Sequence, residues 1–326
     1  MEILMKKITG RSAFLSILQS EGVTHLFGNP GTTELPIMHA LKEYPDIKYI
    51  LGLQEAIVVA MADGYSRSTG KLSACNVHVA PGLGNAMGAI YNAKFVGSPI
   101  IITAGQQEQG HGLMEPMLYG PLVRMAEPLV KWATEVNRLE DLPRIMRRAA
   151  KIALSPPTGP VFISLPGDIL NKEAKIDLGK STRVIDTYRP SHNSIELIAK
   201  KISKYKKPVI IAGHEVATSG AFKEITMFAE YTGSAVYQQT VPHGSHYPSE
   251  HMAFMGTLPR LQKPTKNILE NYDLLICVGC DGLRMSVWSD TEPLPSKMPI
   301  IHIGINEWEI GKNYSTELAI IGNVKN

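Results

Sequence analysis

The sequence predicts an α/β protein made of two doubly wound, three-layer α/β/α domains with mainly parallel sheets. Strand-like and helix-like runs alternate up to about residue 170, a polar stretch without a clear period follows, and a second alternating set then begins. Repeated βα units form parallel sheets that are covered by helices on both faces. We therefore expect a first domain over residues 1–172, a linker over 173–191 and a second domain over 192–326.

Apolar runs bounded by turn residues define the elements of the first domain. Strands are predicted at 47–53, 71–79, 98–105 and 160–166, and helices at 54–68, 82–97 and 138–154. An earlier strand within 23–28 ends on the turn sequence NPG at 29–31. Thr32 and Thr33 follow at positions where they can cap a helix that continues to Leu41.

The second domain repeats this alternation of elements. Strands are predicted at 208–213, 234–239, 273–279 and 299–305, with a helix at 221–233. The two domains share an architecture but no convincing sequence repeat.

Composition narrows the class of protein. The 326 residues are 44% hydrophobic and 19% charged, with a formal net charge of +3, which is typical of a well-packed globular protein. The basic residues are scattered, so we expect neither nucleic acid nor a membrane surface as partner. Three cysteines do not make a disulfide framework, and no secretory signal is visible, so a reducing cytoplasm is the expected location.

Glu55 is the sharpest candidate for a functional side chain. It lies at the junction between an apolar strand and an unusually apolar helix, in GLQEAIVVAMADGY. A glutamate in the first turn of a helix can simply interact with the helix dipole. Alternatively, a carboxyl in apolar surroundings holds its proton more easily and can hydrogen-bond a ligand nitrogen. The residues alone leave both interpretations open.

His78 ends a predicted strand before a glycine-rich loop, in CNVHVAPGLGNAMG. Such a histidine is well placed for acid–base chemistry in an α/β crevice, although a lone histidine is more often satisfied by a backbone carbonyl. The following glycines have the spacing Gly82, Gly84 and Gly88, one residue longer than the dinucleotide fingerprint. They favour close backbone packing, or the approach of another ligand, over NAD.

The remaining metal and redox candidates are weak. Cys277 and Cys280 form a single C-x-x-C, and a zinc site needs a second pair or suitably spaced histidines. His243, His246 and His251 share one loop, but their spacing matches no recognised ligand pattern. We expect ordinary buried or loop residues here and no metal site on this chain.

Five segments, taken together, resemble a known family. They occur in the order FGNPGTTELP, YILGLQEAIVVAMADGY, NVHVAPGLGNAMGA, SPIIITAGQQ and PLVKW. They are similar to the N-terminal (PYR) domain of the thiamine-diphosphate-dependent 2-oxo acid decarboxylases and acetolactate synthases, with benzoylformate decarboxylase nearest. The resemblance is dense over residues 20–135, and it is weaker but continuous with the family's middle domain over 190–326.

The resemblance implies roles for individual residues. Glu55 matches the glutamate that hydrogen-bonds the pyrimidine ring of thiamine diphosphate and helps to activate it. His78 matches an active-site histidine expected to assist proton transfer, and Thr32 occupies the position of an active-site serine. Met117 and Leu118 fall near apolar residues that line the substrate pocket. The loops expected around the pyrimidine end of the cofactor contain Pro30, Gly31, Gly82, Gly84 and Asn85.

Two departures from the family concern the middle domain. Benzoylformate decarboxylase has a second catalytic histidine there, where this chain has Ser286 in VGCDGLRMSVW, which makes benzoylformate itself a doubtful substrate. Acetolactate synthases bind FAD against this domain, but their glycine-rich and GMHG-like segments are replaced by AGHEVATSG and AFMGTLP. FAD is therefore not expected.

The third departure is the diphosphate anchor. The family holds the diphosphate and Mg²⁺ in a C-terminal (PP) domain with a GDG motif and a downstream asparagine pair, because two phosphates need a divalent ion on hard oxygen ligands. Gly167-Asp168-Ile169 lacks the second glycine of that motif. Cys280-Asp281-Gly282 lacks the first and aligns with the middle domain.

The resemblance therefore implies a split enzyme. We expect this chain to be the PYR-plus-middle subunit of an enzyme that decarboxylates or carboligates a small 2-oxo acid and is not active alone. A separate PP-domain polypeptide would carry the Mg²⁺, and the PYR domains would pair as a homodimer within a hetero-oligomer. The alternatives are an inactive regulatory or ligand-binding remnant, and a fragment of an acetolactate synthase-like enzyme.

Overall fold

The computed structural model describes residues 6–185 and 188–326. The chain divides into two compact units, Met1–Val184 and Ile185–Asn326, and the division falls inside the predicted linker. Each unit contains a six-stranded parallel sheet with apolar cores on its two faces. The predicted fold class, two three-layer α/β/α domains with mainly parallel sheets, is confirmed.

The elements of the first unit alternate between strands and helices. Its strands are β1 (Lys6–Thr9), β2 (His25–Gly28), β3 (Lys48–Leu51), β4 (Ser73–Val77), β5 (Ile100–Gln106), β6 (Ala133–Glu135), β7 (Val161–Pro166) and β8 (Glu173–Ile176). Its helices are α1 (Gly10–Ser20), α2 (Leu35–Ala40), α3 (Glu55–Thr69), α4 (Val79–Val96), α5 (Leu122–Ala126), α6 (Leu142–Leu154) and α7 (Gly167–Asn171). Short 3₁₀ helices cover Thr32–Glu34, Leu41–Glu43, Gln109–Met114, Glu127–Leu129 and Leu139–Asp141.

The main sheet of the first unit has the order β3-β2-β4-β5-β7-β6, with every pair parallel. All residues of β4, β5 and β7 are buried, as expected for strands covered on both faces. Helices α1, α2, α6 and α7 pack on one face, and α3, α4 and α5 pack on the other. Helix α6 packs on the sheet because it is amphipathic. Met146 and Ala150 face the core, while Arg144 and Arg148 lie on the exposed side.

Two explicit predictions for the first unit differ from the structure. Residues 173–176 of the predicted linker form β8, which pairs antiparallel with β1. Ile176 is buried in the same apolar cluster as Ile8, so the EAKI segment forms a strand despite its charges. The predicted threonine cap is also wrong: neither Thr32 nor Thr33 accepts a backbone N–H at the helix start, and the Glu34 carboxylate accepts the Gly31 N–H instead.

The second unit is a doubly wound domain of the same type. Its strands are β9 (Pro208–Ala212), β10 (Ala235–Gln238), β11 (Phe254–Thr257), β12 (Leu274–Val278), β13 (Ile300–Gly304) and β14 (Leu318–Ile321). Its helices are α8 (His192–Ile202), α9 (His214–Thr218), α10 (Phe222–Thr232) and α11 (Gln262–Leu269). The sheet order is β11-β10-β9-β12-β13-β14, with every pair parallel. Helices α8, α9 and α10 cover one face, and α11 with the long loops covers the other. No helix in the described part of the chain is long and apolar enough to cross a membrane.

Candidate functional site

The candidate site lies at the carboxyl edge of the first unit's sheet. Strand β3 adds to one side of β2 and β4 to the other, so the chain reverses its direction of winding between β2 and β4. In open α/β sheets, ligands bind in the crevice at such a switch point. The loop at 29–31 follows β2, His78 follows β4, and Glu55 begins the helix that follows β3. The topology therefore brings three separate sequence segments to one crevice.

Glu55 is held by two asparagine side chains. It is 7% exposed, its Oε1 accepts a hydrogen bond from Asn29 Nδ2 at 3.1 Å, and its Oε2 accepts one from Asn85 Nδ2 at 3.0 Å. The side chain of Gln54 already caps α3 by accepting the N–H groups of residues 56 and 57. Glu55 is therefore not needed as a helix cap. Because a carboxylate has about four acceptor positions, each oxygen keeps room for a further hydrogen bond.

Gly82 keeps the space between Glu55 and His78 open. A Cβ at this position would lie 3.1 Å from Glu55 Oε1 and 3.4 Å from the Cβ of His78. The two predicted functional residues are thus neighbours across one buried glycine of α4. A larger side chain there would press against both.

His78 is bound to a carboxylate rather than to a backbone carbonyl. Its Nδ1 lies 2.8 Å from Glu34 Oε2 and 3.2 Å from Thr33 Oγ1. Glu34 is fully buried, and it also accepts hydrogen bonds from Gly31 N at 2.8 Å, Gly105 N at 2.8 Å and Thr33 Oγ1 at 2.7 Å. Four hydrogen-bond partners therefore surround one buried carboxylate.

The sequence analysis missed Glu34. The sequence did contain a signal for it. Glu34 lies three residues after the N-cap residue Gly31, and a glutamate at this N3 position is typical of a capping box. The carboxylate fills that role through the Gly31 N–H, and its other bonds come from residues distant in the sequence. Asn29, the second residue missed, lies in the predicted turn and donates to Glu55.

The backbone around this cluster is tightly constrained. A Cβ at Gly31 would collide with the His78 ring, and a Cβ at Gly105 would collide with the Glu34 carboxylate. Val79, directly after His78, has a φ of 45°, a left-handed conformation that is rare for a β-branched residue. Such strain costs about 1–3 kcal/mol and is common at active sites. The sharp turn from β4 into α4 thus fixes the direction of the His78 side chain.

The other predicted site residues lie at the same edge with looser contacts. Thr32 is exposed at the start of its 3₁₀ helix, and it is Thr33 that contacts His78. Pro30 is partly buried, whereas Gly84 is exposed on α4. Met117 is 82% exposed, and the adjacent Leu118 has a φ of 70°. The predicted functional roles of all these residues stay predictions.

The loop that carries Met117 and Leu118 is tied to the end of β5. Gln107 Nε2 donates to the Met117 carbonyl at 2.8 Å, and Gln106 Nε2 donates to the Gly120 carbonyl at 3.0 Å. These bonds hold an apolar loop at the same carboxyl edge as Glu55 and His78. The arrangement can therefore present apolar side chains to a ligand that occupies the crevice.

Other residues singled out in the sequence, Cys277, Cys280 and Ser286, lie in the second unit. Cys277 and Cys280 are buried and free, and a hydrogen bond between their side chains, together with burial, raises the pKa of Cys280. Burial raises the pKa of Asp281, which pairs with Arg284 at 3.4 Å. Ser286 is exposed on the loop after β12. Within residues 6–185 and 188–326, no cluster of three or more histidine, cysteine or acidic side chains has an arrangement that could hold a metal ion.

Comparison with known proteins identifies the family of this chain. Residues 8–117 match the N-terminal TPP-binding domain of thiamine pyrophosphate enzymes, and residues 195–326 match their central domain. The chain belongs to the thiamine pyrophosphate enzyme family. The N-terminal match indicates thiamine diphosphate (thiamine pyrophosphate) as the cofactor, and the matched residues include Glu55 and His78.

Individual relatives agree with this assignment. The chain is 31% identical to the benzoylformate decarboxylase of Pseudomonas aeruginosa over 97% of its own length and 60% of the relative's. It is 29% identical to the acetolactate synthase large subunit of Buchnera aphidicola (Schizaphis graminum), over 98% of its own length and 57% of the relative's. A thiamine diphosphate-dependent 4-hydroxybenzoylformate decarboxylase of Rhodococcus jostii has a similar structure, with a TM-score of 0.90 and 30% identity over 98% of this chain and 61% of that one. The chain thus spans about 60% of the length of the relatives it matches.

Proposed function

We propose that this chain supplies the pyrimidine-binding half of the active site of an enzyme that decarboxylates or carboligates a 2-oxo acid. The observation that carries the proposal is the buried Glu55 carboxylate, held by Asn29 and Asn85 beside His78 at the switch point of the sheet. Membership of the thiamine pyrophosphate enzyme family supports it.

The side chains of the crevice fit the pyrimidine end of thiamine diphosphate. Each Glu55 oxygen keeps an acceptor position for a ligand nitrogen, and Gly82 leaves the approach to that carboxylate open. When bound, the cofactor supplies the carbon nucleophile and the electron sink for decarboxylation. Glu55 binds and orients the ring through a hydrogen bond, and His78 holds or moves a proton at its exposed ring edge.

The diphosphate end needs its own site, and we propose that a separate polypeptide with a PP domain provides it. Two phosphates require a divalent cation on hard oxygen ligands, so Mg²⁺ would bind with them on the partner chain. The 2-oxo acid would then be enclosed between the crevice and the partner.

We also propose that two copies of the first unit pair. Helices α3 and α4 pack against one another and expose apolar side chains on their outer surface, including Ile57 and Tyr91, which are 52% and 57% exposed. Apolar side chains on adjacent helices favour association with another protein surface. The molar mass of the chain, measured by light scattering after size exclusion, tests this part: a dimer supports it and a monomer at all concentrations contradicts it.

The experiment that tests the enzymatic proposal is isolation of this chain under mild conditions, followed by mass spectrometry of whatever co-purifies. A second polypeptide with a GDG motif and downstream asparagines supports the split enzyme. The isolated complex is then assayed with Mg²⁺, thiamine diphosphate and a panel of 2-oxo acids, alongside Glu55→Ala. Homo-oligomers of this chain alone, with no turnover of any 2-oxo acid, would contradict the proposal and favour a regulatory or ligand-binding role.

A further inference from the structure

We propose that Glu34 is the positioning residue of the site: it fixes His78 in the tautomer that carries its proton on Nδ1 and leaves Nε2 unprotonated. The assignment of the tautomer depends only on this chain. Its consequence for turnover rests on the proposed function.

The donor count at Glu34 determines the direction of its bond with His78. Two of its four partners, the N–H groups of Gly31 and Gly105, can only donate. The Thr33 hydroxyl spends its one hydrogen on Glu34 Oε1 at 2.7 Å, so towards His78 Nδ1, 3.2 Å away, it can only accept. An ionised carboxylate accepts hydrogen bonds and never donates them. The fourth bond, of 2.8 Å between Oε2 and Nδ1, is therefore donated by His78. A neutral imidazole has one N–H, so its Nε2 is then an acceptor.

Neither partner can turn away from this arrangement. The carboxylate is anchored by the backbone at the end of β5 and in the loop after β2, and a glycine stands at both contacts because a Cβ would collide. The His78 ring packs against Gly31, and its backbone is followed by the strained Val79. Imidazole cannot flip to offer its other nitrogen without breaking these contacts.

The exposed edge of the His78 ring carries Nε2, the nitrogen that remains available for proton transfer. The side chain is 22% exposed, and Nε2 makes no hydrogen bond within the part of the chain that the structure describes. With Nδ1–H directed at Glu34, His78 begins as a proton acceptor at Nε2 and becomes a donor only after it has taken a proton. A carboxylate that orients a catalytic histidine through Nδ1 acts in the same way in serine proteases.

Nuclear magnetic resonance of the ¹⁵N-labelled histidine rings tests the tautomer in the full-length chain, without cofactor or partner. His78→Gln identifies the His78 resonances among the ten histidines. At a pH where the ring is neutral, two-bond ¹H–¹⁵N couplings should show Nδ1–H in the wild type. In Glu34→Gln, where a carboxamide replaces the carboxylate, the pure Nδ1–H pattern should be lost. An Nε2–H ring in the wild type, or the same Nδ1–H pattern in Glu34→Gln, would overturn the proposal.

Glu21→Gln is the matched control. Glu21 is also a buried carboxylate of the first unit, 5% exposed, and it pairs with Arg147 at 2.5 Å and Arg183 at 2.6 Å. Its substitution removes a buried charge without touching His78, so the His78 couplings should match the wild type. A change in them equal to that of Glu34→Gln would mean that general destabilisation, not the hydrogen bond, sets the tautomer, and would overturn the proposal.

Turnover in the isolated native complex separates this inference from the proposed function. Glu34→Gln should lower turnover by about 10²- to 10⁴-fold, the usual contribution of a general acid–base group. Its affinity for thiamine diphosphate should be unchanged, because Glu55 is intact. Wild-type turnover in Glu34→Gln would contradict the positioning role. Failure of the wild type to bind thiamine diphosphate would contradict the proposed function and leave the tautomer assignment standing.

Discussion

The buried His246 should make the second unit acid-sensitive. It is fully buried, and neither ring nitrogen makes a hydrogen bond of standard geometry within the described residues. Burial, with the nearby positive charges of His214 and His243 when protonated, lowers its pKa from 6.5 to about 4, and the Ala212 carbonyl offsets only part of this. The unfolded chain therefore binds a proton near pH 6.5 that the folded chain accepts only near pH 4.

The magnitude follows from these two pKa values. The unfolded state binds more protons between pH 6.5 and 4, so the free energy of unfolding falls as the pH falls through this window. The full difference corresponds to about 3 kcal/mol, and about 2 kcal/mol of it should be lost by pH 5. Above pH 6.5 the contribution of His246 is constant. His246→Leu should remove this part of the pH dependence, because leucine does not titrate.

Urea unfolding at pH 8 and pH 5 measures the effect. A Trp132→Phe background leaves only Trp288 and Trp308, both in the second unit, so fluorescence follows that unit. The drop in unfolding free energy between the two pH values should be smaller by about 2 kcal/mol in His246→Leu than in its parent. The exposed His192, changed to Leu as the control, should leave the drop unchanged. Equal drops in the parent and in His246→Leu would refute the reasoning.

Three further changes test the first unit. Gly31→Ala places a Cβ against the His78 ring and should lower the stability of the unit by about 1–3 kcal/mol in urea unfolding; an unchanged midpoint would contradict the packing. Asn85→Ala removes one of the two donors to Glu55 and should weaken binding of thiamine diphosphate to the native complex about 10-fold by calorimetry; unchanged affinity would argue against the contact. Glu21→Gln breaks a buried ion-pair network and should lower the free energy of unfolding, measured in urea, by about 3 kcal/mol. A loss below about 0.5 kcal/mol would contradict a stabilising role for this network.

The central strands were predictable because burial on both faces produces continuous apolar runs. Within the two six-stranded sheets, the sequence analysis missed β6, β11 and β14, which all lie at sheet edges, where few residues are fully buried. Their short and mixed sequences carry no such run. Similarly, β8 exists because it pairs with β1, a contact between segments more than 160 residues apart that local sequence does not encode.

The candidate site was predictable only in part. The family resemblance pointed to Glu55 and His78, and the structure places them on either side of Gly82. The hydrogen-bond partners of Glu55 and His78 were harder to predict. In the sequence, Asn29 looks like an ordinary turn residue and Glu34 like an ordinary residue at the start of a helix. Their importance comes from contacts across the crevice, with Gly105 and Glu55, which arise only when the sheet is assembled.

Binding of thiamine diphosphate to this chain with its native associates, by titration calorimetry with Mg²⁺ present, tests the central claim most directly. The claim is that Glu55 holds the pyrimidine end of the cofactor. The wild type should bind one cofactor per chain, and Glu55→Ala should bind about 10- to 100-fold more weakly, as expected for loss of a hydrogen bond to a charged group. The control variant is Glu43→Ala, at an exposed position, and its affinity for thiamine diphosphate should equal that of the wild type. Wild-type affinity in Glu55→Ala, or no binding to the wild-type assembly, would contradict the account.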